Sequence, residues 1–223
     1  MTTAQYQQLT RAARCEIRTD DLTRQLYATD ASLYEIVPDA VAFPRTADEA
    51  ASAVGAAGEA GLPVIPRGAG TGLSGGAIGR GLVIDFSRYN RAIEDFDRER
   101  RIVRVGAGVV LDQLNAYCKP HGLWFGPDVA TSSRATLGGM IANNSSGAHV
   151  PVYGTTAAHV RALELVLADG RIETVGRGYE TLQELHHAVD DAIAQHAQEI
   201  RDRFPHILLK RWPGYGLDLY LRE

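Results

Sequence analysis

Apolar residues recur in short blocks separated by polar turns, and the spacing changes from strand-like to helical along the chain. Val41 to Phe43 is a brief apolar run. Behind it, Thr46-Ala47-Asp48-Glu49 has the hydroxyl-to-carboxylate spacing of a capping box, which predicts a helix ending at Gly61. Val64 to Pro66 predicts a second strand and completes a β-α-β unit. That strand feeds directly into glycine-rich sequence, a placement suited to ligand binding at a strand's carboxyl end. Further on, Leu82 to Asp85, Ile93 to Phe96 and Ile102 to Val105 read as strands, and Val110 to Tyr117 as a short helix stopped by Pro120 and Gly122. Ala162 to Ala168 and Arg171 to Val175 flank Asp169-Gly170, a pair that favours a type I′ hairpin turn. Leu182, Leu185, Val189, Ile193, Ile200 and Phe204 keep helical spacing, so one helix is expected over Thr181 to Phe204, ended by Pro205 and covering a sheet. The fold class is α+β. An N-terminal helical or extended segment (1–40) precedes a first α+β lobe (41–126) and a β-rich second lobe with its covering helix (127–223).

Composition narrows the function classes. Of 223 residues 45% are hydrophobic and 22% charged, an ordinary globular balance for one large domain or two small lobes. A formal net charge of -4 without any Lys/Arg-rich run argues against nucleic acid as a partner, because phosphate-backbone binding needs clustered positive charge. No stretch approaches the roughly 18 apolar residues of a transmembrane segment, and no basic-then-apolar leader opens the chain. Cys15 and Cys118 are too few for a disulfide framework and lack the spacing of a zinc or iron–sulfur site, so no metal is expected and a reducing cytoplasm fits.

The densest candidate chemistry lies in Pro66-Arg67-Gly68-Ala69-Gly70-Thr71-Gly72-Leu73-Ser74-Gly75-Gly76, with five glycines in nine residues. Without Cβ atoms, consecutive backbone N–H groups can curl around an anion, and Thr71 and Ser74 can add hydroxyl donors. Arg67 could supply charge or simply face water. A mobile surface loop would have the same composition. The Rossmann fingerprint fails because a strand rather than a helix follows Gly76, and a Walker loop fails because no Lys-Ser or Lys-Thr pair closes the glycines.

A second thinning of side chains runs from Gly126-Pro127-Asp128 through Ala135-Thr136-Leu137-Gly138-Gly139 to Asn143-Asn144-Ser145-Ser146-Gly147. A planar ring system lying against backbone needs such small residues, with Asn and Ser bonding its polar edge. A tightly packed Gly-Gly turn is the alternative. Two glycine-rich segments in one chain favour a shared ligand.

These segments together resemble the FAD-binding domain of the vanillyl-alcohol oxidase and p-cresol methylhydroxylase type, most closely its D-lactate dehydrogenase and glycolate oxidase branch. Tyr27 to Ser32, Pro38 to Pro44, Pro66 to Gly76, Leu82 to Ser87, Gly126 to Gly147, Tyr153-Gly154 and Leu165 to Gly170 fall in the family's order. The resemblance implies a two-lobed fold in which Pro66, Arg67, Gly68, Ala69, Gly70, Thr71, Gly72, Leu73, Ser74 and Gly75 wrap the FAD pyrophosphate. Pro127, Asp128, Thr136, Gly138, Gly139, Asn143, Ser145, Ser146, Gly147 and Gly154 would line the rest of the cofactor. Some relatives carry the flavin on a histidine of the first loop; Ala69 and Gly70 stand there, so the resemblance implies non-covalent FAD. His149 and Tyr153 are candidates for a catalytic role, with a hydrogen-bonded structural role as the alternative. His186, His187 and His196 are expected on the helix surface.

The implied activity is oxidation of a small 2-hydroxy acid by hydride transfer to FAD. The alternative is a non-catalytic flavin- or nucleotide-binding subunit of a larger complex, and a third reading is a phosphate-binding regulatory domain. After Gly214-Tyr215-Gly216-Leu217 the family continues with a Gly-x-Glu-Gly-x-x-Gly stretch and a substrate-binding cap, neither of which precedes Glu223. The expectation is therefore a C-terminally incomplete domain, partnered by a cap or an iron–sulfur domain or subunit and inactive on its own.

Overall fold

The sheet that positions the glycine loop is mostly parallel, with two fully buried, largely apolar tetrads at its centre. A computed structural model describes residues 1–176, 178, 180–204 and 214–221. Helix α1 (Thr3–Ala12), strand β1 (Glu16–Arg18) and helix α2 (Asp21–Leu26) lead into strand β2 (Ala40–Phe43), helix α3 (Ala47–Glu59), strand β3 (Val64–Arg67) and strand β4 (Leu82–Asp85). The sheet order is β1-β2-β4-β3, with β4 parallel to both neighbours and β1 antiparallel at one edge. β2 and β4 are buried along their whole lengths, which is the pattern of strands covered on both faces. The β-α-β unit read from the sequence thus exists, but β4 slots between its two strands.

Thr46 caps α3 by accepting the Glu49 N–H, while the Glu49 carboxylate accepts from Arg45 N–H rather than from the cap residue, so the box is displaced by one position. Ala53, Ala56 and Ala57 on α3 pack with Leu9 of α1 and with Leu82 and Ile84 of β4. Small alanines let the helix lie close on the sheet.

A hairpin, β5 (Ile93–Asp97) and β6 (Ile102–Val105), leads to α4 (Leu111–Cys118), which ends in a tight turn closed by Gly122 at φ 71°. Helix α5 (Leu137–Ala142) packs its Leu137 and Met140 with Val109, Leu111 and Leu114 in a second core. After the short α6 (Val150–Tyr153), the hairpin β7 (Ala162–Val166) and β8 (Ile172–Gly176) follows, then α7 (Gln183–Gln195), α8 (Ala197–Arg203) and α9 (Leu217–Tyr220).

Two sequence expectations need correction. The β7–β8 turn is not type I′: Gly170 has φ 81°, Asp169 is not among the positive-φ residues, and Gly170 N–H donates to Leu167 C=O, which is a type I turn closed by a left-handed glycine. The single helix from Thr181 to Phe204 is two helices broken at His196 (φ -114°, ψ 12°), and Leu182 (φ 57°) stands before the first. Ile193 and Ile200, one on each side of the break, are both buried, so the apolar rhythm passes through an interruption that periodicity does not register. Among the described residues after 127 the strands are confined to the β7–β8 hairpin, and the helix against it is α3, where Gly170 meets Ala51 and Gly55. Pro205 lies outside the described residues.

Candidate functional site

Parallel β2, β4 and β3 end on the same edge, so Phe43, Asp85 and Arg67 finish side by side and the glycine loop leaves from β3. Loop residues Ala69, Gly72, Leu73, Ser74 and Gly76 are exposed. Among the described residues, none of the successive backbone N–H groups from Ala69 through Gly76 donates to a protein acceptor. The hydroxyls of Thr71 and Ser74 are likewise unengaged. A run of N–H groups left free of protein acceptors in an exposed loop is available to water or to an anion.

The glycines divide by cause. Gly70 (φ 66°) and Gly75 (φ 75°) occupy the left-handed region that side chains avoid. Gly68 is excluded from having a Cβ by packing, since that atom would fall 2.2 Å from Thr136 Oγ1. Gly72 and Gly76 have neither constraint: a Cβ there would meet nothing within 4 Å, and neither lies in the left-handed region. Glycine at those positions suits a ligand that must approach the backbone. The donors and the missing Cβ atoms fit a diphosphate.

Arg67 neither faces water nor projects freely into the loop. Its guanidinium donates to Thr29 C=O (2.8 Å), Ala77 C=O (3.0 Å) and Tyr27 C=O (3.5 Å), and it stands over the Tyr27 ring. The Tyr27 hydroxyl in turn bonds the buried Asp85 carboxylate, which also accepts N–H groups from Ser87 and Arg88. Burial, with the Asp85 hydrogen bond and charge, pushes the Tyr27 phenol well above its ordinary range.

The second segment meets the first at Thr136, which is 2% exposed and caps α5 by accepting Gly139 N–H. Gly138 sits on Ala107, donating its N–H to the Ala107 carbonyl, and a Cβ would stand 2.8 Å from that residue's methyl. Asn143 donates from its side chain to Gly139 C=O. Ser145 C=O accepts both the N–H and the hydroxyl of fully buried Thr156. Gly147 lies against Asp128, where a Cβ would be 2.1 Å from the Asp128 carbonyl. His149 is tied to the same aspartate through its N–H and through Nδ1. This His149 hydrogen bond holds the Asp128 carboxyl below the usual carboxylate range. Tyr153 packs edge-on against Trp124 and its carbonyl accepts from His159 Nε2. Gly154 takes φ 74° after α6. Pro127 is buried and Ser146 makes no described side-chain hydrogen bond.

The structure therefore brings Gly68 and Gly139 each against Thr136, and separately joins Asp128, Gly147 and His149. Sequence reasoning gave no role to Asp30, Tyr34 or Asp85. Asp30-Ala31-Ser32 carries the Asx-turn signal that would have flagged the first, and Asp85 at the end of an apolar strand is a buried charge that needs partners.

Residues 38–176 match the family model described as FAD binding domain. D-2-hydroxyglutarate dehydrogenase of Escherichia coli K12 is 42% identical over 208 residues, which is 87% of this chain and 20% of that protein. D-lactate dehydrogenase of Archaeoglobus fulgidus is 41% identical over 138 residues, 61% of this chain and 30% of that protein. The chain thus spans between a fifth and a third of these relatives' lengths. Among solved structures, xylooligosaccharide oxidase from Myceliophthora thermophila, in complex with xylobiose, superposes with a TM-score of 0.69 at 20% identity, covering 80% of this chain and 38% of that one.

Proposed function

Because the chain belongs to the FAD-binding-domain family of the vanillyl-alcohol oxidase and p-cresol methylhydroxylase type, we propose that it is the FAD-binding part of a dehydrogenase that oxidises a 2-hydroxy acid. The observation that carries this reading is the unpaired N–H series from Ala69 to Gly76 on a loop whose Gly72 has no demand of its own for glycine. In this reading the loop from Pro66 to Gly75 holds the pyrophosphate, and the segment from Pro127 to Gly154 lines the remainder. When bound, FAD supplies the acceptor for the hydride equivalent leaving the hydroxy acid. The chain's own work is binding and orientation. His149, with Nδ1 committed to Asp128, keeps Nε2 for a proton or a polar edge of the ligand. The lobe division near residue 126, the cytoplasmic setting and a cap or iron–sulfur partner that completes the substrate site belong to the same proposal. No described helix is long and apolar enough to cross a membrane.

Ala69 and Gly70, standing where some relatives carry histidine, support non-covalent attachment. The test begins with absorbance. The purified chain should be yellow or become so with FAD, and acid precipitation should release the flavin to the supernatant; a yellow pellet would overturn the non-covalent part. Saturating FAD should raise the thermal midpoint, with about 2.7 kcal/mol of stabilisation at a hundredfold excess over Kd. An unmoved midpoint rejects FAD. Dye reduction with D-2-hydroxyglutarate, D-lactate or glycolate, measured with the chain joined to its cap partner, then separates an enzyme from a non-catalytic flavin module.

A further inference from the structure

We infer that Arg67 and Asp30 are positioning residues of the glycine loop, acting through an N-terminal strap at residues 27–34 and not as phosphate ligands. The inference rests on the FAD reading above. The strap precedes residue 38, where the match to the FAD binding domain begins.

The strap holds the loop at its start, middle and end. At the start, Arg67 donates to strap carbonyls of Tyr27 and Thr29 and also to Ala77, so one guanidinium ties both ends of the loop to the strap. In the middle, Ala31 N–H donates to Gly70 C=O at 2.9 Å. At the end, the Asp30 carboxylate accepts Ala77 N–H (3.4 Å) and Ser32 N–H (2.8 Å). Both left-handed glycines abut this contact: a Cβ on Gly70 would lie 3.0 Å from Arg67 Nη2, and one on Gly75 would lie 2.9 Å from the Tyr34 ring. The carbonyl of Gly70 is thus drawn to the strap while the N–H series from Ala69 to Gly76 stays unpaired. A loop ordered in this way before the ligand arrives loses less freedom on binding.

Charge and shape give the inference its sign. A carboxylate beside an anion site repels the anion, so on electrostatics alone removing Asp30 would tighten FAD. If Asp30 orders the loop, removing it weakens FAD. For Arg67 the discriminating change is lysine, which keeps the charge but cannot span carbonyls of three residues as a planar fork does.

The experiment is FAD titration of the full chain and of Arg67→Lys, Arg67→Met and Asp30→Ala, followed by flavin fluorescence, with circular dichroism and thermal midpoints recorded without FAD. Lysine and methionine should lose affinity alike, by about tenfold, and Asp30→Ala should weaken binding despite removing a negative charge. Wild-type affinity in Arg67→Lys alongside loss in Arg67→Met would assign Arg67 to the phosphate and overturn the inference. So would tighter binding by Asp30→Ala, or unchanged affinity in all three variants. If an Arg67 variant fails to fold, the direction of change in Asp30→Ala decides alone. A wild-type chain that takes up no FAD overturns the FAD reading itself, an outcome visible before any variant is measured.

Discussion

At the scale of single residues, Gly70 and Gly72 separate what the backbone needs from what a ligand needs. Alanine at Gly72 enters open space without a left-handed backbone, so the unliganded chain should keep its stability or gain about 0.4–1 kcal/mol from a less flexible unfolded state. FAD affinity should nonetheless fall about tenfold, since a methyl would stand where backbone meets the ligand. Valine at Gly70 should lower both quantities, because φ 66° costs a branched side chain about 1–2 kcal/mol and Arg67 is in the way. Urea melts beside FAD titrations distinguish the two. Tyr27 carries a pH dependence of definite sign. Its folded pKa is raised, so its contribution is complete below the ordinary value of about 10 and is lost as pH rises through the folded value. Tyr27→Phe should therefore flatten the alkaline limb of stability above about pH 10 in melts across a pH series. The two glycine-rich segments are legible in the sequence because composition marks them, whereas Asp128 becomes a candidate only through the family resemblance. The commitment of Arg67 to carbonyls was not, since its partners at Tyr27, Thr29 and Ala77 lie 40, 38 and 10 positions away.

At the scale of elements, the short strands and α3 could be read because the local signals agree with the fold: apolar runs, the Thr46 cap, and Gly61 after the helix at φ 66°. The features of tertiary placement that the sequence did not reveal share one cause. Neither the insertion of β4 between β2 and β3 nor the seating of β7–β8 against α3 is encoded by nearest neighbours. Gly170 shows the difference. The sequence marks it as a turn glycine, yet the structure also places it against α3, where a Cβ would stand 3.0 Å from the Ala51 carbonyl and 3.3 Å from Gly55 Cα. Gly170→Ala should cost about 1–2 kcal/mol for φ 81° alone, with further loss from the crowded helix. Loss larger than that of Gly122→Ala, which has φ 71° but open surroundings, would establish the packing component in parallel urea denaturations.

At the scale of the whole molecule, the candidate site lies where two segments distant in sequence close on each other, and Gly68 against Thr136 is their point of contact. Two glycine-rich segments can be counted in a sequence, but their meeting cannot be, because it depends on Thr136 being drawn into register with Val110 and on Leu137 N–H bonding Val109 C=O. The contact predicts a signed coupling. Gly68→Ala alone forces a methyl to 2.2 Å from Thr136 Oγ1, and because Thr136 is buried it cannot swing away, so a loss of about 1–3 kcal/mol is expected. Thr136→Ala alone removes a cap worth about 1 kcal/mol. In the double variant the clashing oxygen is gone and the remaining Cβ is 3.4 Å away, an ordinary contact, so the combined loss should be smaller than the sum of the single losses. Additive losses in urea denaturation would mean that the two segments do not meet at this point. Sub-additive losses, with FAD affinity reduced in Gly68→Ala and partly recovered in the double variant, would tie the closure of the two segments to the proposed cofactor site.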